Sequence, residues 1–114
     1  MSDELLFERG KEEFNNAQYF DAHESWEELW QIIRHDTAKE LETKQLQALI
    51  QCSVALHLFF ADRLAGAKKV IERARLNIQE SKAVYQNIDL ESLYQEIIRF
   101  FENNQPSDSL NVKI

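Results

Sequence analysis

Two glycines, Gly10 and Gly66, and one proline, Pro106, are all the strong turn formers in a chain of 114 residues. A β-sheet needs frequent tight turns, and those turns draw on Gly and Pro for conformations that other residues resist. Their scarcity, beside abundant Glu, Leu, Ala, Gln and Lys, selects long helices joined by short polar loops. The expected fold is all-α: a compact bundle of about five helices around one central buried helix. At this length one domain can bury a core without disulfides or metal staples, and the 44% hydrophobic content supplies that core.

Hydrophobic spacing places the helices at about 3–15, 19–34, 38–63, 64–85 and 89–101. In the second, Tyr19, His23, Trp26, Trp30 and Ile33 recur at helical spacing. The third is apolar on nearly every side from Leu46 to Phe60, the pattern of a buried helix. Asp3, Asp36 or Thr37, and Asp89 stand where N-caps belong, and Asn15-Asn16 reads as a stop. Residues 1–103 are expected to form one domain, with a polar, frayed tail over 104–114.

The net charge of -7 argues against nucleic acid and anionic membranes, which select basic surfaces. Lys68, Lys69, Arg73 and Arg75 form the densest basic group, and Glu72 interrupts it. The longest apolar run, 54–61, contains His57 and is far too short to span a bilayer. One cysteine, Cys52, allows no internal disulfide, and the acidic start lacks the signs of a signal peptide. A cytoplasmic protein is expected. No Gly-rich phosphate loop, Cys-x-x-Cys pair or Gly-x-Ser-x-Gly elbow is present.

The residues with most chemical capacity are gathered in Phe20-Asp21-Ala22-His23-Glu24-Ser25-Trp26-Glu27-Glu28-Leu29-Trp30. His23 and Glu27, four apart, lie about 40° from each other around a helix and can converge on one point. Glu24 takes the place of the general base in zinc-protease helices, although Glu27 stands where those helices carry a second His. His23 falls within the apolar stripe and should be buried, with Glu27 on its shoulder and Glu24 and Glu28 in water. His57 lines up with the inward face of the third helix. If the two helices pack, His23, Glu27 and His57 form a two-His-one-carboxylate set suited to zinc, iron, manganese or nickel.

Two other readings stand beside this one. In one, the His and Glu side chains only hydrogen-bond each other, in a helical interaction or scaffold module whose pair over 46–85 resembles tetratricopeptide helices. Alternatively, Trp26, Trp30 and Phe59 or Phe60 frame a small-molecule pocket. So apolar a central helix also admits a homo-oligomer.

The chain resembles the family known as domain of unknown function 309, some members of which carry the label of predicted metal-dependent hydrolase. The resemblance rests on Phe14-Asn15, Tyr19-Phe20, Ala22-His23-Glu24, Glu27-Glu28 and Trp30, then on Leu49-Ile50-Gln51, Ala55-Leu56-His57 and Gly66-Ala67. It implies a compact helical bundle with polar residues clustered at His23, Glu27 and the region of His57, and it implies no particular substrate.

Overall fold

The computed structural model describes residues 2–114. Its helices are α1 (Asp3–Asn15), α2 (Tyr19–Ile33), α3 (Glu40–Phe60), α4 (Leu64–Gln79) and α5 (Leu90–Asn103). A single 3-10 turn, Thr37–Lys39, precedes α3, and a small antiparallel hairpin of β1 (Val84–Tyr85) and β2 (Ile88–Asp89) separates α4 from α5. The all-α architecture expected from the sequence is the one observed.

The helix starts follow local chemistry. Ser2 accepts from the Leu5 amide at 3.2 Å and takes the cap position just before Asp3. Asp36 accepts from the Ala38 amide at 2.9 Å, and Asp89 from Ser92 at 3.0 Å. Each satisfies one of the amides that a helix start leaves without a partner. The turns after α1 and α3 both end in a left-handed residue, Ala17 at φ 60° and Asp62 at φ 61°. Their neighbours Gln18 and Arg63 donate back to Glu13 and Leu58 at 2.8 and 2.9 Å, which closes the helix ends without glycine.

The fourth helix stops six residues before the expected 85. Gln86 and Asn87 both have positive φ, 50° and 64°, the mark of a two-residue hairpin turn. Buried Gln45 on α3 donates Nε2 to the carbonyls of Lys82 and Val84 at 2.7 and 2.8 Å, holding the incoming strand. A side chain from a distant helix therefore overrides the helical spacing of this segment.

α2, α3 and α4 form a layer with α3 in the middle. α1 packs on α2, and α5 packs on α3 and α4. The core stripe of α2 is Tyr19, Ala22, Ser25, Trp26, Leu29 and Ile33. That stripe is turned away from the one the spacing predicts, because α2 is gripped by α1 as well as by α3. Small Ala22 and Ser25 sit where its neighbours come close, and His23 and Trp30 move to the edge. α3 buries Leu46, Ala48, Leu49, Cys52, Ser53, Ala55, Leu56 and Phe59, but Ile50, Val54, His57 and Leu58 are only half-buried. The central helix is thus not covered on every side.

Residues 104–114 carry no helix, and the end of this segment lies against the body of the domain. Leu110, Val112 and Ile114 pack on the core, and Asn15 bonds both ways with the Ile114 backbone at 2.8 and 3.2 Å. Lys113 also donates to the Asn15 carbonyl. The alternating apolar residues give this extended segment one face to bury.

The α1–α2 contact is closed by Trp26, which is fully buried and donates Nε1 to the Phe7 carbonyl at 3.1 Å. Phe7 and Phe14 pack on its ring with centroids at 6.3 and 5.9 Å. A Cβ at Gly10 would lie 2.3 Å from Trp26 Nε1 and 2.5 Å from its Cδ1. Gly→Ala in a free helix gains about 1 kcal/mol, whereas overpacking a closed core costs about 1–3 kcal/mol or more. Gly10→Ala is therefore expected to lower stability, measured by urea denaturation, against its helix propensity; a stabilised variant would contradict this packing.

Candidate functional site

The sequence-predicted residues arrive at one flank of the α2–α3 contact, in an arrangement different from a ligand triad. His23 is half-buried, its side chain 17% exposed, where full burial was expected. Glu27, expected to be half-buried, has a side chain 52% exposed. Glu24 is exposed, as expected. His57 is half-buried on the outer side of α3. The reason is the rotation of the core stripe: with Trp26 fixed inward, His23 lies about 60° and Glu27 about 100° around the helix from it.

His23 Nδ1 lies 2.6 Å from the Phe20 carbonyl, and its Nε2 lies 3.6 Å from Glu27 Oε2. A carbonyl oxygen only accepts, so Nδ1 carries a proton. In the neutral ring Nε2 then presents its lone pair towards the Glu27 carboxylate.

The two imidazoles meet through a residue that the spacing did not single out. The ring of Phe20, 48% exposed, packs on His23 with centroids at 4.8 Å and on His57 at 5.1 Å. A two-His-one-carboxylate centre needs three donors at about 2.0–2.2 Å from one point. Here a phenyl ring occupies the contact between the imidazoles, and among the described residues no three His, Cys, Asp or Glu side chains come together as a metal-holding group. The residues do not fit a metal in this arrangement.

Beside this ladder of rings lies a cleft of about 350 Å³ between the start of α2, the end of α3 and the final segment. Phe20, His57 and Phe60 line it with Tyr19, Asp21 and Asp108. Tyr19 stacks on Phe60 at 5.8 Å with their planes 9° apart, and buried Ser53 donates to the Tyr19 carbonyl at 2.6 Å. Of the aromatic residues proposed for a pocket, only Phe60 reaches this cleft. Trp26 and Phe59 are buried in the core, and Phe59 stacks on Phe101 at 4.8 Å. Trp30 is half-buried under Arg34, whose guanidinium is 5.2 Å from its ring centre, and its Nε1 finds no partner among the described residues. Phe20, Asp21 and Asp108 were missed by spacing. Phe20 and Asp21 open the chemical string without being singled out in it, and nothing local marks Asp108 as facing it.

On the opposite flank of α2, buried Ser25 donates to Glu13 at 2.5 Å and accepts from Arg9 at 3.0 Å. Arg9 also reaches Glu28 at 3.0 Å. This network ties α1 to α2 and faces away from the cleft. Cys52 is fully buried, and burial pushes its thiol up to about 12, which removes it as a nucleophile.

The fold and its flank define a small all-α domain whose two half-buried imidazoles share contact with one aromatic ring. The chain belongs to the family described as domain of unknown function (DUF309), whose model matches residues 7–70. That stretch holds His23, Glu24, Glu27 and His57, and it stops before the hairpin, α5 and the final segment that closes the cleft. No curated protein and no solved structure matches the chain. Among the described residues, no helix is long and apolar enough to cross a membrane.

Two measurements check this geometry. Nitrogen-15 spectra of the imidazoles are expected to find the proton of neutral His23 on Nδ1; a proton on Nε2 instead would break the contact with the Phe20 carbonyl. Cys52 should ignore an aromatic disulfide reagent in the native protein and react at once in denaturant. Rapid reaction of the folded chain would show that α3 is not packed as described.

Proposed function

We propose that this domain binds a small organic cation, an amine with an apolar body, in the cleft beside Phe20 and His57. The observation that carries the reading is the character of the lining: aromatic rings from Tyr19, Phe20 and Phe60, carboxylates from Asp21 and Asp108, and no Lys or Arg. Aromatic faces and carboxylates both favour a positive charge, and the rings supply apolar surface for the rest of the ligand. The N-terminus of α2 points its dipole towards the cleft and favours an anion. Asp21 in the first turn of α2 and Asp108 across the cleft already supply that negative charge.

In this reading His57 orients the ligand with a ring nitrogen, while His23 and Glu27 hold Phe20 and the exposed flank of α2. Their contacts lie within a single helix, which supports a structural role for that pair rather than a base at Glu24 or a metal at His23, Glu27 and His57.

Phenylethylamine and phenylacetate, alike in body and opposite in charge, separate the alternatives. At ten times its dissociation constant a ligand adds about 1.4 kcal/mol, a rise of about 5 °C in melting temperature. The amine is expected to produce such a rise and the carboxylate none, and Asp21→Asn should reduce it. Equal shifts from both probes, or from neither, would overturn the reading.

A further inference from the structure

Part of the cleft lining is the turn from α1 into α2, with Ala17 and Gln18, and another part is Asp108, Ser109 and Leu110 of the final segment. A helix holds its own backbone in place, whereas an irregular segment depends on ties to its surroundings. Some of those ties are internal. Gln105-Pro106-Ser107-Asp108 is a tight turn with proline at its second position: the Asp108 amide donates to the Gln105 carbonyl at 2.9 Å. The Asp108 carboxylate accepts from the Gln105 amide at 2.7 Å through Oδ2, which sets its direction relative to its own turn. Nothing in that turn sets where it stands against the cleft.

Beyond Asp108, the hydrogen bonds between this segment and the rest of the described residues meet at half-buried Asn15, where α1 ends. Its Nδ2 donates to the Ile114 carbonyl at 3.2 Å and its Oδ1 accepts from the Ile114 amide at 2.8 Å. Its own carbonyl accepts from the Lys113 ammonium. A helix end leaves carbonyls without partners and favours positive charge, yet the last turn of α1 carries no basic residue. Lys113 supplies that charge from the far end of the sequence. Because Asn15 pairs with both backbone groups of one residue, it fixes the register of the segment. A slip by one position would turn half-buried Leu110, Val112 and Ile114 outward and exposed Asn111 and Lys113 inward.

We propose that Asn15 is a positioning residue of the cleft: it latches the final segment, in register, to the α1–α2 turn and thereby sets where Asp108 stands. For the ligand this rests on the amine reading above; the latch itself does not. Asn15 lies two residues before Ala17, so one side chain joins two parts of the same lining. Neither Asn15 nor Lys113 lines the cleft, and each acts on a bound amine only through the segment it holds.

Asn15→Ala removes both side-chain bonds to Ile114, and Lys113→Met, at an exposed position, removes the bond to the Asn15 carbonyl. Nitrogen-15 relaxation of the ligand-free full chain is expected to find the amides of 108–113 as rigid as those of the helices, and to find them loosened in both variants. Circular dichroism should show the helices intact. Each variant should then raise the dissociation constant of phenylethylamine about threefold to tenfold. Lys113→Met takes away a positive charge, which by charge alone would tighten an amine, so weaker binding has to come through the segment. Asp108→Asn should weaken binding by a similar factor, and adding Asn15→Ala to it should weaken binding no further. A segment equally mobile with and without the substitutions overturns the proposal, and so do additive effects of Asn15→Ala and Asp108→Asn. If the unmodified protein takes no amine while the segment still loosens in both variants, the amine reading falls and the latch stands.

Discussion

The approach of α1 to α2 depends on one bulky side chain meeting one absent one. Trp26 occupies the space that a side chain at Gly10 would need, and its indole N–H is committed to the Phe7 carbonyl. A ring so bonded cannot slide away without losing a buried hydrogen bond, and truncating it would cost about 3–5 kcal/mol. Trp26 therefore sets the rotation of α2, and everything else on that helix inherits its exposure from it. Ser25 turns towards Arg9 and Glu13, and His23, Glu27 and Trp30 turn towards the outer edge of α3. The half-exposure of the chemically capable residues is a consequence of core packing.

α3 is the second organising element. Its middle position asks for apolar residues on both flanks, and its sequence carries them almost all round. The structure turns the inner arc to the core and leaves Ile50, Val54 and Leu58 half-covered. One hydrophobic helix thereby serves as the centre of the domain while keeping a half-buried outer side. The cleft beside Phe20 lies at the end of that half-buried side, where His57 belongs to both. The cleft is small, aromatic and acidic.

The residue types at the site were legible in the sequence, and their assembly was not. His23 and Glu27 do face each other, because four-residue spacing on a helix is a local property. The meeting of His23 with His57 depends on the heights and rotations at which α2 and α3 pack, which periodicity does not give. Phe20, only three residues from His23, turned out to contact both imidazoles. Asp108 and Leu110 reach the cleft from a segment whose polarity reads as a loose end. The alternation of Leu110, Val112 and Ile114 was the one signal that it packs, and three residues of period two are weak evidence.

The sequence by itself determined the all-α class, most helix boundaries and the caps at Asp36 and Asp89, since these rest on spacing and on side chains within a turn of their targets. Tertiary structure decided the hairpin after α4, the rotation of α2, the docking of the last residues and the aromatic contact that joins the two histidines. Each of those depends on atoms far apart in the chain: Gln45 on the carbonyls of Lys82 and Val84, Gly10 on Trp26, Asn15 on Ile114, Phe20 on His57. Local chemistry fixes what a segment prefers, and only close packing, in which two groups cannot occupy one space, fixes what it meets.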